Sequence, residues 1–345
     1  MVLAAGLGTR LRPITARIPK PLVQVLNAPN IVHTLLYLRQ AGITDIILNT
    51  HYLAQVLEKT LGDGSQWGVK LTYSYEPALL GTGGGLKNVE WFFHGEPFVL
   101  CNCDFLTSAP LGPFLERHEE RKALATMLLC DNASQKGRYA AVGVTAESHL
   151  CSLPSLRTQP PARTAIFTGI HILGETIFET LPLALCGINE VAYPKLMQKF
   201  PSLVYGDFFS RDQFWIDTGD PESVLSGSLY VLTALQNVQD DKLNQWFPAL
   251  ANYACLTPGY WSGPMSKLPQ NFQAPVLQGN YVNVHESSVV GPHCVIGDHC
   301  TIGRHCQISQ SLILPNTTVA DGAVVRNQII GNGLQMQATP YSIFE

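Results

Sequence analysis

The chain has 345 residues, more than one growing hydrophobic core normally serves, so two domains are expected. A hydrophobic share of 46% supplies sizeable cores, and a net charge of −4 lacks the basic excess that binding a nucleic-acid backbone requires. The nine cysteines form no CxxC pair and read as reduced, mostly buried thiols; no apolar stretch is long enough for a bilayer and no leader pattern precedes the first glycine loop, so a cytoplasmic protein without a membrane partner is expected.

From residue 2 to about 131, short apolar or β-branched runs alternate with helical patterns, which predicts βα units feeding a mostly parallel sheet. Strands are expected at 2–5, 45–49, 69–75, 98–103 and 125–130, and helices at 30–41, 53–61, 86–93 and 110–121. The fold class is therefore α/β, a Rossmann-like sheet with helices on both faces, and its ligands belong beyond the carboxyl ends of the strands. Residues 140–173 read as further strands, 174–181 and 190–200 as helical, and Pro221–Gln236 as a helix with proline in its first turn. Residues 1–238 are assigned to this domain and the irregular stretch 239–275 to a linker.

A six-residue repeat follows, with an aliphatic residue, a glycine and a small residue at fixed offsets in the copies that start at Val290, Ile296 and Ile302. Residues 276–335 thus resemble the left-handed parallel β-helix of hexapeptide-repeat proteins, with 336–345 as a tail. In that geometry His293-Cys294, His299-Cys300 and His305-Cys306 fall on different sides of a triangular prism. They cannot converge on one ion, so core cysteines with surface histidines are expected instead of a metal site.

The sharpest motif runs from Leu3, Ala4, Ala5 and Gly6 through Gly8, Thr9 and Arg10, with Pro19-Lys20-Pro21 after it. Glycine lets backbone N–H groups approach a polyphosphate, Arg10 adds a planar multi-donor cation, and Lys20 a point charge. Neither a Walker A loop nor a complete GxGxxG is present. With Glu76-Pro77, Gly81-Thr82-Gly83, Asn102-Cys103-Asp104 and Trp215-Ile216-Asp217, these motifs make the chain resemble the sugar-1-phosphate nucleotidyltransferase family over residues 1–236. The closest likeness is to bacterial enzymes that transfer guanylyl to mannose 1-phosphate or uridylyl to N-acetylmuramate 1-phosphate.

The resemblance implies a reaction and a site. Leu3, Ala4, Ala5, Gly6, Gly8, Thr9, Arg10, Glu76, Gly81, Thr82 and Asn102 would bind a nucleoside triphosphate, and Arg10 and Lys20 would serve catalysis. Asp104 and Asp217 would hold Mg²⁺, which prefers oxygen ligands and keeps several waters. Thr168 and Gly169, within Phe167-Thr168-Gly169-Ile170-His171, would border the sugar 1-phosphate, while His171 is expected as a core or wall residue. Subunits would associate through the β-helix. Glu76 could accept from two guanine donors but from only one in uracil, which tilts the base toward guanine.

The chain also departs from the pattern. Relatives often carry a Glu-Lys-Pro lysine for the sugar phosphate, yet none lies between Ala146 and Phe167, leaving Lys20, Arg138, Arg157 or Arg163 to replace it. Cys103 stands where glycine is usual, and the first strand is short. A non-catalytic sugar-nucleotide sensor on the same fold is the competing expectation; an acyltransferase seated in the repeat is disfavoured because the tail holds only about three coils.

Overall fold

The computed structural model describes residues 1–131, 138–236 and 247–341. The expected boundary at 238, the first part of the linker, Lys136-Gly137 and residues 342–345 lie outside the described residues. Strands β1 (Val2–Leu3), β2 (Asp45–Thr50), β3 (Lys70–Tyr75) and β4 (Phe98–Asn102) form a parallel block in the order β3-β2-β1-β4. After β5 (Phe105–Thr107) come β6 (Ala125–Cys130), β7 (Ala141–Val144), β8 (Leu150–Leu153), β9 (Leu156–Arg157) and β10 (Arg163–Leu173). The long β10 runs antiparallel to β4, β6 and β7, and β6 pairs in parallel with β11 (Val204–Phe208). A separate two-stranded ribbon joins β5 to β12 (Trp215–Asp217).

Alternation along β4 explains the layering. Val99 and Cys101 face one core with Ile31, Leu35, Leu57 and Phe114, from α1 (Asn30–Gln40), α2 (Ala54–Leu61) and the helix Gly112–Glu120 (α4). Phe98 and Leu100 face the opposite core, where Leu86 of α3 (Gly81–Asn88) meets Tyr193 and Leu196 of α5 (Ile188–Lys199). Helix α3 begins earlier than the expected 86–93. Gly83, Gly84 and Gly85 are poor helix formers, but Gly83 N donates to Cys186 O at 2.9 Å and Cys186 N to Leu80 O at 3.0 Å, so tertiary contact overrides propensity.

The second unit is a three-faced parallel β-helix. One face stacks Val276–Gln278, Cys294–Ile296, Ser311–Ile313 and Gln328–Gly331, and the other two stack three short strands each. Cys294, Cys300 and Cys306 are buried on three different faces, with thiols toward backbone carbonyls. His293, His299 and His305 occupy the left-handed corners before them, at φ of 59°, 58° and 55°. No grouping of three or more His, Cys, Asp or Glu suited to a metal occurs among the described residues. Part of the expected linker is prism instead, since Tyr260–Ser262 pairs in parallel with Val276–Gln278. Its aromatic, aperiodic sequence hides a strand of only three residues.

The two units share a core and do not stand apart behind a linker. Leu277, Val295, Leu312 and Ile329 are successive partners in the prism sheet, and all are essentially buried. They join one core with Trp261, with Leu11, Val25 and Leu106 of the sheet domain, and with Val224, Leu225, Val231 and Leu232 of α6 (Pro221–Gln236). Uncovering this face costs about 1.5–3 kcal/mol for each large side chain. A fragment of residues 1–236 is therefore expected to melt at least ~10 °C below the full chain or to aggregate, and the full chain to unfold in one calorimetric transition. Two separate transitions would show that the shared core does not couple the units.

Candidate functional site

A cleft of about 390 Å³ opens at the carboxyl ends of β1, β2 and β4, where an open parallel sheet places its ligands. Its lining includes Leu3, Ala4, Ala5, Gly6, Arg10, Glu76, Gly81, Thr82 and Asn102 of the nucleotide residues expected from sequence, together with Lys20, Asp104 and Asp217. Gly8 and Thr9 are not part of this lining. Gly8, at φ 63°, lets the Lys20 stem approach so closely that an added Cβ would lie 2.9 Å from Lys20 Cβ, and its carbonyl accepts from Thr15 Oγ1 at 2.7 Å. The backbone N–H groups of Ala5, Gly6 and Leu7 have no acceptor among the described residues, so the loop presents free donors where an anion would sit.

Asn49 was not identified from sequence. Its Oδ1 accepts from Ala4 N at 2.8 Å and its Nδ2 donates to Glu76 Oε1 at 2.8 Å, tying the glycine loop to the wall opposite. Glu76 Oε2 accepts from Leu80 N at 3.0 Å, so both oxygens of this buried carboxylate already hold protein donors. Thr82 Oγ1 accepts from Ile188 N at 2.9 Å, which anchors α3 against the start of α5.

Asp104 follows β4 and Asp217 ends β12, and the ribbon of β5 with β12 brings them together; Thr218 N donates to Asp104 O at 2.9 Å. A Cβ placed on Gly219 would lie 3.0 Å from Asp217 Oδ1, 3.1 Å from Asp104 Oδ2 and 2.6 Å from an Arg10 guanidinium nitrogen, so the three groups converge on one point. The Lys20 ammonium is ion-paired with Asp104. Burial alone would lower the Lys20 pKa, but Asp104, with Cys103 and Asp217, outweighs it and the net shift is upward. Asp217 is buried, and its Oδ2 has no hydrogen-bond partner among the described residues. Burial, then the charge of Asp104, raises its pKa, against the opposing pull of Tyr139, Lys20 and Arg10. A carboxylate orphan beside a second carboxylate that already holds a cation is a donor set suited to a hard divalent ion.

The sugar-side expectations fare differently. Gly169, at φ 79°, sits in a bulge where the register of β10 against β6 shifts between Phe167 and His171, and an added Cβ would lie 2.6 Å from Asn102 Nδ2. Neither Gly169 nor Thr168 is part of the cleft lining, and the fully buried Thr168 hydroxyl donates to Leu128 O at 2.8 Å. His171 is a core residue, as expected, bonded to Tyr193 and held neutral with a pKa of about 3 by burial. Of the substitute cations, Arg138 is ion-paired with Asp220, and Arg163 pairs with Asp131 at 3.3 Å and stacks on Phe208 at 3.6 Å. Exposed Arg157 is also outside the lining, so Lys20 is the one expected substitute that reaches the cleft. Tyr139, next to Arg138, does line the cleft, and its pKa is raised by burial and then by Asp217 beside it.

A doubly layered α/β sheet with an anion-ready glycine loop, two cations and two convergent carboxylates at its strand ends defines the class, a nucleotidyltransferase. The profile of the Nucleotidyl transferase family matches residues 1–234, and that of the GMPPB C-terminal domain matches residues 272–339. The chain belongs to the sugar-1-phosphate nucleotidyltransferase family. The mannose-1-phosphate guanyltransferase of Candida albicans is 29% identical over 249 residues, 70% of this chain and 67% of that protein. The mannose-1-phosphate guanylyltransferase of Mycobacterium tuberculosis is 30% identical over 229 residues, 66% of this chain and 63% of that protein. Among solved structures, HddC from Yersinia pseudotuberculosis aligns at a TM-score of 0.53 and 25% identity, covering 64% of this chain and 94% of its own. No helix among the described residues is long and apolar enough to cross a membrane.

Proposed function

We propose that the enzyme transfers guanylyl from GTP to mannose 1-phosphate and releases pyrophosphate. The observation that carries the reading is the convergence of Arg10, Asp104 and Asp217 on one point of the cleft that Ala5 and Gly6 also line. The names of the relatives supply guanylyl and mannose. The Glu76 carboxylate supports guanine less directly, because its lone pairs beyond those bonded to Asn49 and Leu80 are what remain to accept from a base.

In this reading the loop N–H groups and Arg10 hold the triphosphate, and the sugar phosphate enters beside Lys20. A sugar-phosphate oxygen attacks the α-phosphorus in line with the departing pyrophosphate, and because a phosphate monoester is already ionised near neutral pH no general base is required. Asp104 and Asp217 would hold Mg²⁺, which when bound neutralises charge on the phosphoryl groups. The protein's contribution is positioning and charge compensation. Self-association through the β-helix is part of the same proposal.

The test is pyrophosphate release across GTP, UTP, ATP and dTTP paired with a panel of hexose 1-phosphates. GTP with mannose 1-phosphate is expected to give the highest kcat/KM. Exclusive use of UTP or dTTP would overturn the base assignment, and binding of triphosphate without turnover of any pair would favour a sensor.

A further inference from the structure

Between the prism and the cleft runs a set of contacts that the reaction itself does not require. After the antiparallel strand Leu334–Gln337, Ala338 is fully buried in the shared core and Tyr341 N donates to Ser226 Oγ at 3.0 Å, pinning the chain across the first turns of α6. The Tyr341 ring then lies under the Arg138 guanidinium, 4.9 Å from its centroid. Arg138 donates to Ser223 Oγ at 2.8 Å and is ion-paired with Asp220 Oδ2, while Asp220 Oδ1 caps α6 by accepting from Ser223 N at 2.9 Å. The same Oδ2 lies only 3.7 Å from the Arg10 guanidinium.

Asp220 thus has two candidate cations on one oxygen. While Arg138 satisfies it, Arg10, more than half exposed, is held loosely and can turn to a phosphate. If Arg138 were released, the uncompensated carboxylate would draw Arg10 away from the cleft. We propose that Tyr341 is a positioning residue for triphosphate binding: its ring holds Arg138 on Asp220, and this keeps Arg10 available. The stacking needs only an aromatic face, because a guanidinium is attracted to the ring quadrupole and not to the hydroxyl.

The role of Arg10 rests on the proposed function, so the readout is one that needs neither base nor sugar. Binding of inorganic tripolyphosphate with Mg²⁺ to the full-length protein is measured by calorimetry, beside the melting temperature. Tyr341→Phe is expected to bind as the wild type does. Tyr341→Ala and Arg138→Gln should each weaken binding about three- to tenfold, with melting temperatures within about 2 °C of the wild type. Adding Tyr341→Ala to Arg138→Gln should weaken it no further, since the two act in series.

Arg138→Gln keeps the test sound if Tyr341→Ala fails to fold, because Arg138 is a surface side chain. Wild-type affinity in both single variants would overturn the proposal. So would additive losses in the double variant, or a loss in Tyr341→Phe equal to that in Tyr341→Ala. A wild type that does not bind tripolyphosphate would overturn it as well, whereas a wild type that binds but turns over no GTP with mannose 1-phosphate counts against the proposed function alone.

Discussion

Asp217→Asn and Asp104→Asn are expected to lower turnover by at least about a hundredfold each, yet to move stability in opposite directions. Asp217 is buried with an orphan Oδ2, and its raised pKa means that ionisation is less favourable in the folded protein than in the unfolded chain. The sign follows from linkage: the penalty is absent below the unfolded-state pKa of the carboxylate, grows as pH rises, and is complete above the raised folded pKa. At neutral pH without metal, the neutral amide should therefore raise the melting temperature by about 1–3 °C, a gain that vanishes near pH 3. Asp104→Asn instead strands the mostly buried Lys20 ammonium without its partner, at a cost of about 3 kcal/mol and a fall of several degrees. Thermal scans of both variants with EDTA at pH 7 and pH 3, beside a pyrophosphate assay, check the set. Near wild-type turnover in either variant, or a fall in melting temperature in both, would remove the basis for treating the carboxylates as a metal pair.

That contrast was only half visible in the sequence. Asp104 and Asp217 were legible because each sits in a distinctive string after an apolar run, and the alternating βα pattern already placed strand ends at the cleft. Their mutual distance was not legible, because it depends on the ribbon between Phe105–Thr107 and Trp215–Asp217, two three-residue strands more than a hundred residues apart. Asn49 looked like any polar residue closing a strand, and only the fold shows its amide bridging Ala4 and Glu76. Thr168 was placed with Gly169 by the resemblance alone, and only the fold shows its hydroxyl buried against Leu128 O beside a shift in strand register.

The prism illustrates the same limit from the other side. Its inward positions announce themselves through the repeat, and the cysteines at 294, 300 and 306 fill the core as that repeat requires. The outward Val295 and Leu312 carried a second message, that this face is covered, and it passed unread because single aliphatic residues on a surface strand are common. A ladder of such residues at the same register on four successive coils is not. Arg138 shows why composition alone cannot assign a cation: a short distance in sequence from the cleft, it is spent on Asp220 and Tyr341.

Lys20→Ala is expected to separate the two substrates. Among the residues lining the cleft, Arg10 and Lys20 are the cations, and Arg10 lies beside the loop donors where the triphosphate is assigned. The sugar phosphate's two charges then fall to Lys20, whose upward-shifted pKa keeps it protonated through neutral and mildly alkaline pH. Losing a charged partner in a partly dehydrated cleft costs a few kcal/mol, so KM for the sugar 1-phosphate should rise about thirtyfold or more while KM for the triphosphate changes less than about threefold. A second consequence has the opposite sign. In the free enzyme the ammonium occupies Asp104, so a divalent ion must displace it, and Lys20→Ala should bind Mn²⁺ more tightly than the wild type in the absence of substrates. Both effects are read on one preparation, by steady-state kinetics with each substrate varied and by calorimetric Mn²⁺ titration. An equal loss for both substrates would make Lys20 a support of the glycine loop, consistent with its stem packed on Gly8, and weaker Mn²⁺ binding would mean that the lysine helps to build the carboxylate pair instead of competing for it.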